Sequence, residues 1–352
     1  MIEPSAGPAG AVLSSAAPPG APGADLIARL VRLAPREGPV TVLKRSAGTG
    51  SAPGSSPVEP ADRVVPPRPG TADAATDPQR AGGGVVVVRV GDVVLKAHPE
   101  GTSEDDLRAR LDVAGRLPGL MLAPLGMERL DARLVTIWPA GEPLTPADLE
   151  AGDDDAPWEE GARLLARLHA LPAPPELPPA GGTARLTRAV AALDGLPGVP
   201  PAIRAAYGTL PWSSLAAGRR EPRPTATRSA LVHGDWHLGQ LVRIGGAWTL
   251  IDPDDLGWGD PAWDLARPAA WFASGLLATS AWDRFLGAYL AAGGVAVGPD
   301  DPWRELDPPA RALTVQLAAT AVATARRAGR PLDGTARALV SSCERILASA
   351  RA

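Results

Sequence analysis

The sequence predicts an α+β chain of two lobes, a small β-rich lobe followed by a larger helical one. Three observations carry that expectation. Strand-like segments gather before Trp138, helical periodicity dominates after it, and the first 84 residues differ in composition from both.

Pro and Gly fill 26 of those 84 positions. Such a stretch buries too little apolar surface to offset its ordering entropy, so disorder is expected over 1–39. Two islands interrupt the composition: Asp25–Leu33 has helical spacing, and Val40–Lys44 reads as a short strand. The β-rich lobe is expected over 40–138, carrying a Pro/Gly/Ser-rich insertion at 45–81, and the helical lobe over 139–352. Val85–Val90, a Gly91-Asp92 turn and Val93–Ala97 form a β-branched hairpin. A helix follows, capped by Ser103, with Glu104, Asp105 and Asp106 at its positive end and Leu107, Leu111 and Ala114 on one face. Arg133–Trp138 is the next strand, ended by Pro139-Ala-Gly141. Trp158, Ala162, Leu165 and Leu168 then space as one buried helical stripe, and the segments from Pro261 to Ala352 are Ala/Leu-rich helices.

Composition narrows the function. The chain has 352 residues, with 35 Lys+Arg against 39 Asp+Glu and a net charge of −4. That balance, with no basic run longer than Arg219-Arg220, argues against a nucleic-acid partner. One cysteine, Cys343, excludes an internal disulfide framework. Four histidines and that cysteine are too few for a structural zinc site. No apolar run approaches the ~20 residues of a membrane span, and no Lys/Arg-flanked apolar core marks a signal peptide. A cytoplasmic protein is expected.

The chemistry concentrates in Ser229–Asp252. Gly245-Gly246 is a two-residue hairpin turn between two apolar runs, which sets Ile244 opposite Ala247 and Leu241 opposite Leu250. Gln240 is thereby brought beside Ile251 and Asp252, and Asp235 lies in a Gly-containing loop five residues before Gln240. Two carboxylates and an amide oxygen at one rim form a hard oxygen site that suits Mg²⁺ rather than zinc.

The run His233-Gly-Asp235-x-His237-x-Gly-Gln240, with Ile251-Asp252 and Gly259-Asp260-Pro261-Ala-Trp-Asp264-Leu-Ala266, resembles the aminoglycoside phosphotransferase family, the small-molecule branch of the protein-kinase-like fold. Arg163–Leu171 resembles that family's helix before the catalytic region, and the hairpin ending in Lys96 resembles its nucleotide-lysine strand. The departure is Gln240, where the family's usual residue is Asn. The variant also occurs in maltokinase- and glucosamine-kinase-like members.

The resemblance implies a bilobal kinase fold transferring the γ-phosphate of ATP, with GTP as the alternative, to a hydroxyl of an aminoglycoside-, sugar- or amino-alcohol-like acceptor. Asp235 would be the catalytic carboxylate, and Gln240 and Asp252 would hold Mg²⁺. Lys96 would contact the phosphates, with Asp112 on the following helix as its acidic partner and Glu104 as the other candidate. Asp264 would anchor the catalytic loop, with Pro261 in the first turn of its helix, and Gly82-Gly83-Gly84 stands where a phosphate-gripping loop would be. Two competitors remain: a pseudokinase-like nucleotide- or ligand-binding module, and a metal hydrolase using His233, Asp235 and His237. His233 reads as a core histidine tying the loop together. The acidic run Glu150–Asp155 reads as a solvated helix start, or as a steering patch for a cationic acceptor. Trp236, Trp258, Trp263 and Trp271 read as core packing, or as stacking faces for a sugar ring.

Overall fold

Valine alternation builds the first lobe. A computed structural model of the chain describes residues 24–45, 84–145, 156–211 and 229–351. Strands β1 (Val40–Arg45), β2 (Val86–Val90), β3 (Val93–Ala97), β4 (Gly126–Leu130) and β5 (Arg133–Pro139) form an antiparallel sheet in the order β1-β2-β3-β5-β4. In β3, Val93, Leu95 and Ala97 are buried and alternate with Val94 and Lys96. The inward set packs with Val86, Val88 and Val90 under helix α1 (Ala24–Leu33), whose Leu30 is fully buried. Burying a leucine contributes ~1.5–3 kcal/mol, enough for a ten-residue helix to hold its place on a sheet. The other face, which carries Val94, is covered by helix α2 (Glu104–Gly115) through Leu107 and Leu111.

Within the segment 1–39, α1 is the helix that the spacing of Asp25–Leu33 indicated, while residues 1–23 and 46–83, with Gly82 and Gly83, lie outside the described residues. β4 was not expected. Its Glu128 and Arg129 are exposed, so it lacks an apolar signature, and it is held by a hairpin whose turn residue Asp131 has φ +54°.

The second lobe is helical. It comprises α3 (Trp158–His169), α4 (Gly182–Ala191), α5 (Pro201–Gly208), α6 (Ala262–Ala273), α7 (Thr279–Ala291), α8 (Trp303–Arg327) and α9 (Gly334–Arg351). Its first core joins the expected Trp158, Ala162, Leu165 and Leu168 stripe to Leu265, Phe285 and Tyr289. A second core gathers α4, α5, α8 and α9 around Leu186, Ile203, Val315, Val322 and Cys343. Burial pushes the Cys343 thiol up to about 12, so it behaves as a small apolar residue.

Short strands carry the loops between these cores. β6 (Glu142–Pro143), β8 (Leu241–Ile244) and β9 (Ala247–Leu250) form one ribbon, and β7 (Ala230–Val232) with β10 (Gly257–Gly259) another. The β8–β9 register pairs Leu241 with Leu250 and Ile244 with Ala247, as the turn chemistry requires. Gly245 and Gly246 have φ +56° and +86°, and positive φ at both central residues is what a tight hairpin of this hand needs. The chain between α2 and β4 is laced to this hairpin by Leu250 N–H to Leu120 O (3.0 Å) and Leu122 N–H to Leu250 O (2.8 Å). Among the described residues no helix is long and apolar enough to cross a membrane.

Candidate active site

The loop after β7 is held by one buried carboxylate. Asp264, fully buried in the first turn of α6, accepts hydrogen bonds from the backbone N–H groups of His233 (2.6 Å) and Gly234 (2.8 Å) and from His169 Nε2 (3.0 Å). The relay continues outward. His169 Nδ1 lies 2.8 Å from the Tyr289 hydroxyl, which accepts from Ala296 N–H at 3.0 Å. Burial alone would raise the Asp264 carboxyl. The His169 hydrogen bond and the nearby His233 outweigh it and hold the group below the usual carboxylate range. Burial also pushes the Tyr289 phenol above its ordinary value, helped by the Asp264 charge.

Asp264 is thus the loop anchor the resemblance implied. Pro261 is a small correction: it is the N-cap of α6 rather than a first-turn residue. Gly234 has φ +83°, and a side chain there would collide with the backbone oxygen of Asp255. His233 is the tie expected of it, since its Nε2 donates to Ile251 O at 2.8 Å and links the loop to the residue before Asp252. His237 caps its own turn, with Gly239 N–H bonding its Nδ1 at 3.0 Å. The ring nitrogens His233 Nε2 and His237 Nδ1 are thus both engaged with backbone groups, and no cluster of three or more His, Cys, Asp or Glu able to hold a metal occurs among the described residues.

Anchored in this way, Asp235 lines a cleft with Gly182, Trp263 and Gln316. Its two carboxylate oxygens are held separately: Oδ1 by Arg267 at 2.7 Å and Oδ2 by Arg185 at 2.9 Å. Arg185 also pairs with Asp255. Neither arginine was singled out from the sequence. Arg267 had a usable signal, because it sits three residues after Asp264 and so on the same face of α6. Arg185 had none, being fifty residues upstream on α4.

Lys96 marks the other centre. Its Nζ lies 2.5 Å from Asp252 Oδ1 and 2.7 Å from Asp254 Oδ2, and His98 Nδ1 stands 3.4 Å from Asp254 Oδ2. Burial would lower the Lys96 ammonium, but the Asp252 and Asp254 charges more than reverse it and raise it above its ordinary value. Against its own burial, Asp254 is held well below the usual range by Lys96 and His98. Asp252 adopts a left-handed conformation, φ +63°, uncommon for a residue with a side chain and met most often at functional sites.

The expected partner of Lys96 is corrected here. Asp112 is exposed on α2, because that helix turns Leu107 and Leu111 inward and so sends the residue after Leu111 to solvent. Glu104 is half-buried and pairs instead with Arg108 and Arg129. The acids that meet Lys96 come instead from the loop after β9. Asp254 and His98 were missed, though His98 lies two residues beyond Lys96, on the same face of the chain.

Gln240 is buried in the short turn just before β8, and its backbone carbonyl accepts Ile251 N–H at 2.9 Å, one step from Asp252. Trp236 is buried in the core, stacked on Phe285 with centroids 5.0 Å apart, and both it and Trp263 border the cleft. The run Glu150–Asp155 lies outside the described residues.

Comparison with known proteins identifies the family and the fold. A family model described as "Phosphotransferase enzyme family" matches residues 82–308, more than half of the chain. No curated protein matches the sequence. Solved structures with a similar fold include a choline/ethanolamine kinase family protein from Mesorhizobium loti, 20% identical, with TM-score 0.51 over 78% of this chain and 92% of that one. An amicoumacin kinase is 16% identical, with TM-score 0.53 over 77% and 89%. A microcompartment-associated aminopropanol kinase is also 16% identical, with TM-score 0.50 over 77% and 90%. At these identities the likeness is one of fold, and the fold is that of the small-molecule kinases, a sheet lobe on a helical lobe.

Proposed function

The chain belongs to the phosphotransferase enzyme family, and from that premise we propose that it transfers the γ-phosphoryl group of ATP to a hydroxyl of a small molecule. The observation that carries the reading is Asp235, a carboxylate at the cleft whose loop is fixed by Asp264 and whose two oxygens are each held by an arginine. In the transfer the acceptor oxygen bonds to the γ-phosphorus, and the bond to the β–γ bridging oxygen breaks. ADP leaves, and the acceptor's proton passes to Asp235. Phosphoryl transfer asks little covalent work of a protein, so orientation and charge balance by these residues suffice.

Asp252, Asp254 and Gln240 supply hard oxygen donors of the kind Mg²⁺ takes. Because they fall short of a full protein cage, they fit an ion that arrives on nucleotide phosphates and keeps most of its ligands from there. Asp252 and Gln240 would hold it, and it would supply charge neutralisation at the phosphates when bound. Lys96 is placed to exchange a carboxylate partner for a phosphate oxygen, since its strand fixes the stem while its ammonium faces Asp252.

The test is MgATP binding by calorimetry, with ADP release measured across hydroxylated acceptors, for the wild type and Asp252→Asn. Binding that weakens at least about tenfold in the variant supports the reading. Binding with no turnover of any acceptor would favour the pseudokinase-like module, and unchanged binding in the variant would end the kinase assignment.

A further inference from the structure

The cleft beside Asp235 has a polar group that the transfer chemistry does not use. Gln316, on α8, lines it and is only 4% exposed, yet its amide oxygen Oε1 has no hydrogen-bond partner. The oxygen is shielded from solvent in this conformation, and a buried carbonyl without a donor costs roughly 1–3 kcal/mol, so turning the amide toward an occupant of the cleft that supplies a donor relieves that cost. The charged residues of the cleft say what kind of donor. Those lining it are Arg185, Asp235 and Arg267, two cations to one anion, and Asp255 behind Arg185 brings the group to balance. Among the described residues lining the cleft, no carboxylate stands apart from an arginine to meet an ammonium, and an ammonium at Gln316 would share a small cleft with two guanidinium groups.

We propose that Gln316 is an acceptor-binding residue whose Oε1 takes a hydrogen bond from a second, uncharged hydroxyl of the acceptor. The site then selects neutral polyhydroxyl molecules, such as sugars and cyclitols, over cationic amines. Trp263 gives the same cleft an aromatic wall, which suits the apolar face of a sugar ring. The inference rests on the kinase reading and names its substrate class.

It is tested on the full chain with MgATP and two groups of probes: D-glucose, trehalose and myo-inositol as neutral polyols, and kanamycin and ethanolamine as cationic ones. At least one polyol should be phosphorylated, with kcat/KM at least about tenfold above either amine. Gln316→Leu should raise the KM for that polyol about tenfold to a hundredfold with kcat largely kept, and without lowering the thermal midpoint, since the change removes an unsatisfied group. Gln316→Glu should narrow the gap between ethanolamine and the polyol. Turnover of the amines alone overturns the inference while leaving the kinase reading intact. So does an unchanged polyol KM in Gln316→Leu, which would mean that the amide meets only a bound water. MgATP binding with no polyol turned over is equally fatal to it, and failure to bind MgATP at all removes the kinase reading beneath it.

Discussion

The two charged centres of the site are built on opposite stoichiometries. At Lys96 one cation lies between two anions, Asp252 and Asp254; at Asp235 one anion lies between two cations, Arg185 and Arg267. The first is left with an excess of negative charge that a divalent ion can answer. The second is closed on itself, and its arginines act as clamps on the position of both carboxylate oxygens. Their anchoring differs as well. Lys96 is fixed by strand register, opposite Thr136 in β5, whereas Asp235 hangs on a loop that depends on Asp264. A centre set by a sheet tolerates local change, and one set by a single buried carboxylate does not.

The largest effect is expected at the clamped centre. Asp235→Asn keeps the shape but removes the proton acceptor, and kcat should fall by about 10²–10⁴ with the fold intact. Steady-state ADP release on the best acceptor measures it. A fall in kcat of less than about tenfold would show that Asp235 neither positions nor deprotonates the acceptor, and the contrast between the two centres would lose its functional meaning.

Next comes the anchor. Asp264→Asn places an amide where two backbone N–H groups and a histidine donate, and it should cost about 2–4 kcal/mol of stability, read from the denaturation midpoint. pH gives the same residue a second readout. The folded carboxyl is depressed, so its stabilisation is fully present above the ordinary unfolded value of about 3.9 and is lost as pH falls through the folded one. Wild-type stability should therefore drop on acidification below about pH 4, and the Asn variant should show a shallower slope there. An equal slope would place the acid-labile groups elsewhere, with Asp254 the next candidate.

These contrasts were unevenly legible beforehand. The β8–β9 register followed from Gly245-Gly246 because a two-residue turn leaves one pairing that keeps the apolar face inward. The Asp235, Asp252 and Asp264 set was legible as a motif because these residues lie within 30 positions of one another, although only Asp264 acts through nearby backbone. The clamp was not. Arg185 reaches Asp235 from another helix, and nothing local in the sequence marks such a convergence. Gln316 was invisible for the same reason, since its meaning lies in the cleft that α8 crosses.

The smallest expected effect discriminates most sharply. The family resemblance left Asp112 as the mate for Lys96, yet Leu111 occupies the inward position and Asp112 faces solvent. Asp112→Ala should then change stability by less than about 0.5 kcal/mol and leave the KM for ATP unmoved, as exposed residues outside special features do. Lys96→Met is the counterpart. It leaves Asp252 and Asp254 facing each other uncompensated, and should raise the KM for ATP at least about tenfold. If Asp112→Ala matched Lys96→Met, the nucleotide-bound enzyme would have to rotate α2 inward and hand the lysine from the loop acids to the helix. The open anionic centre would then belong to the nucleotide-free protein alone. If only Lys96→Met acts, the excess of carboxylate beside the lysine persists through turnover and is itself the feature that draws in the divalent ion.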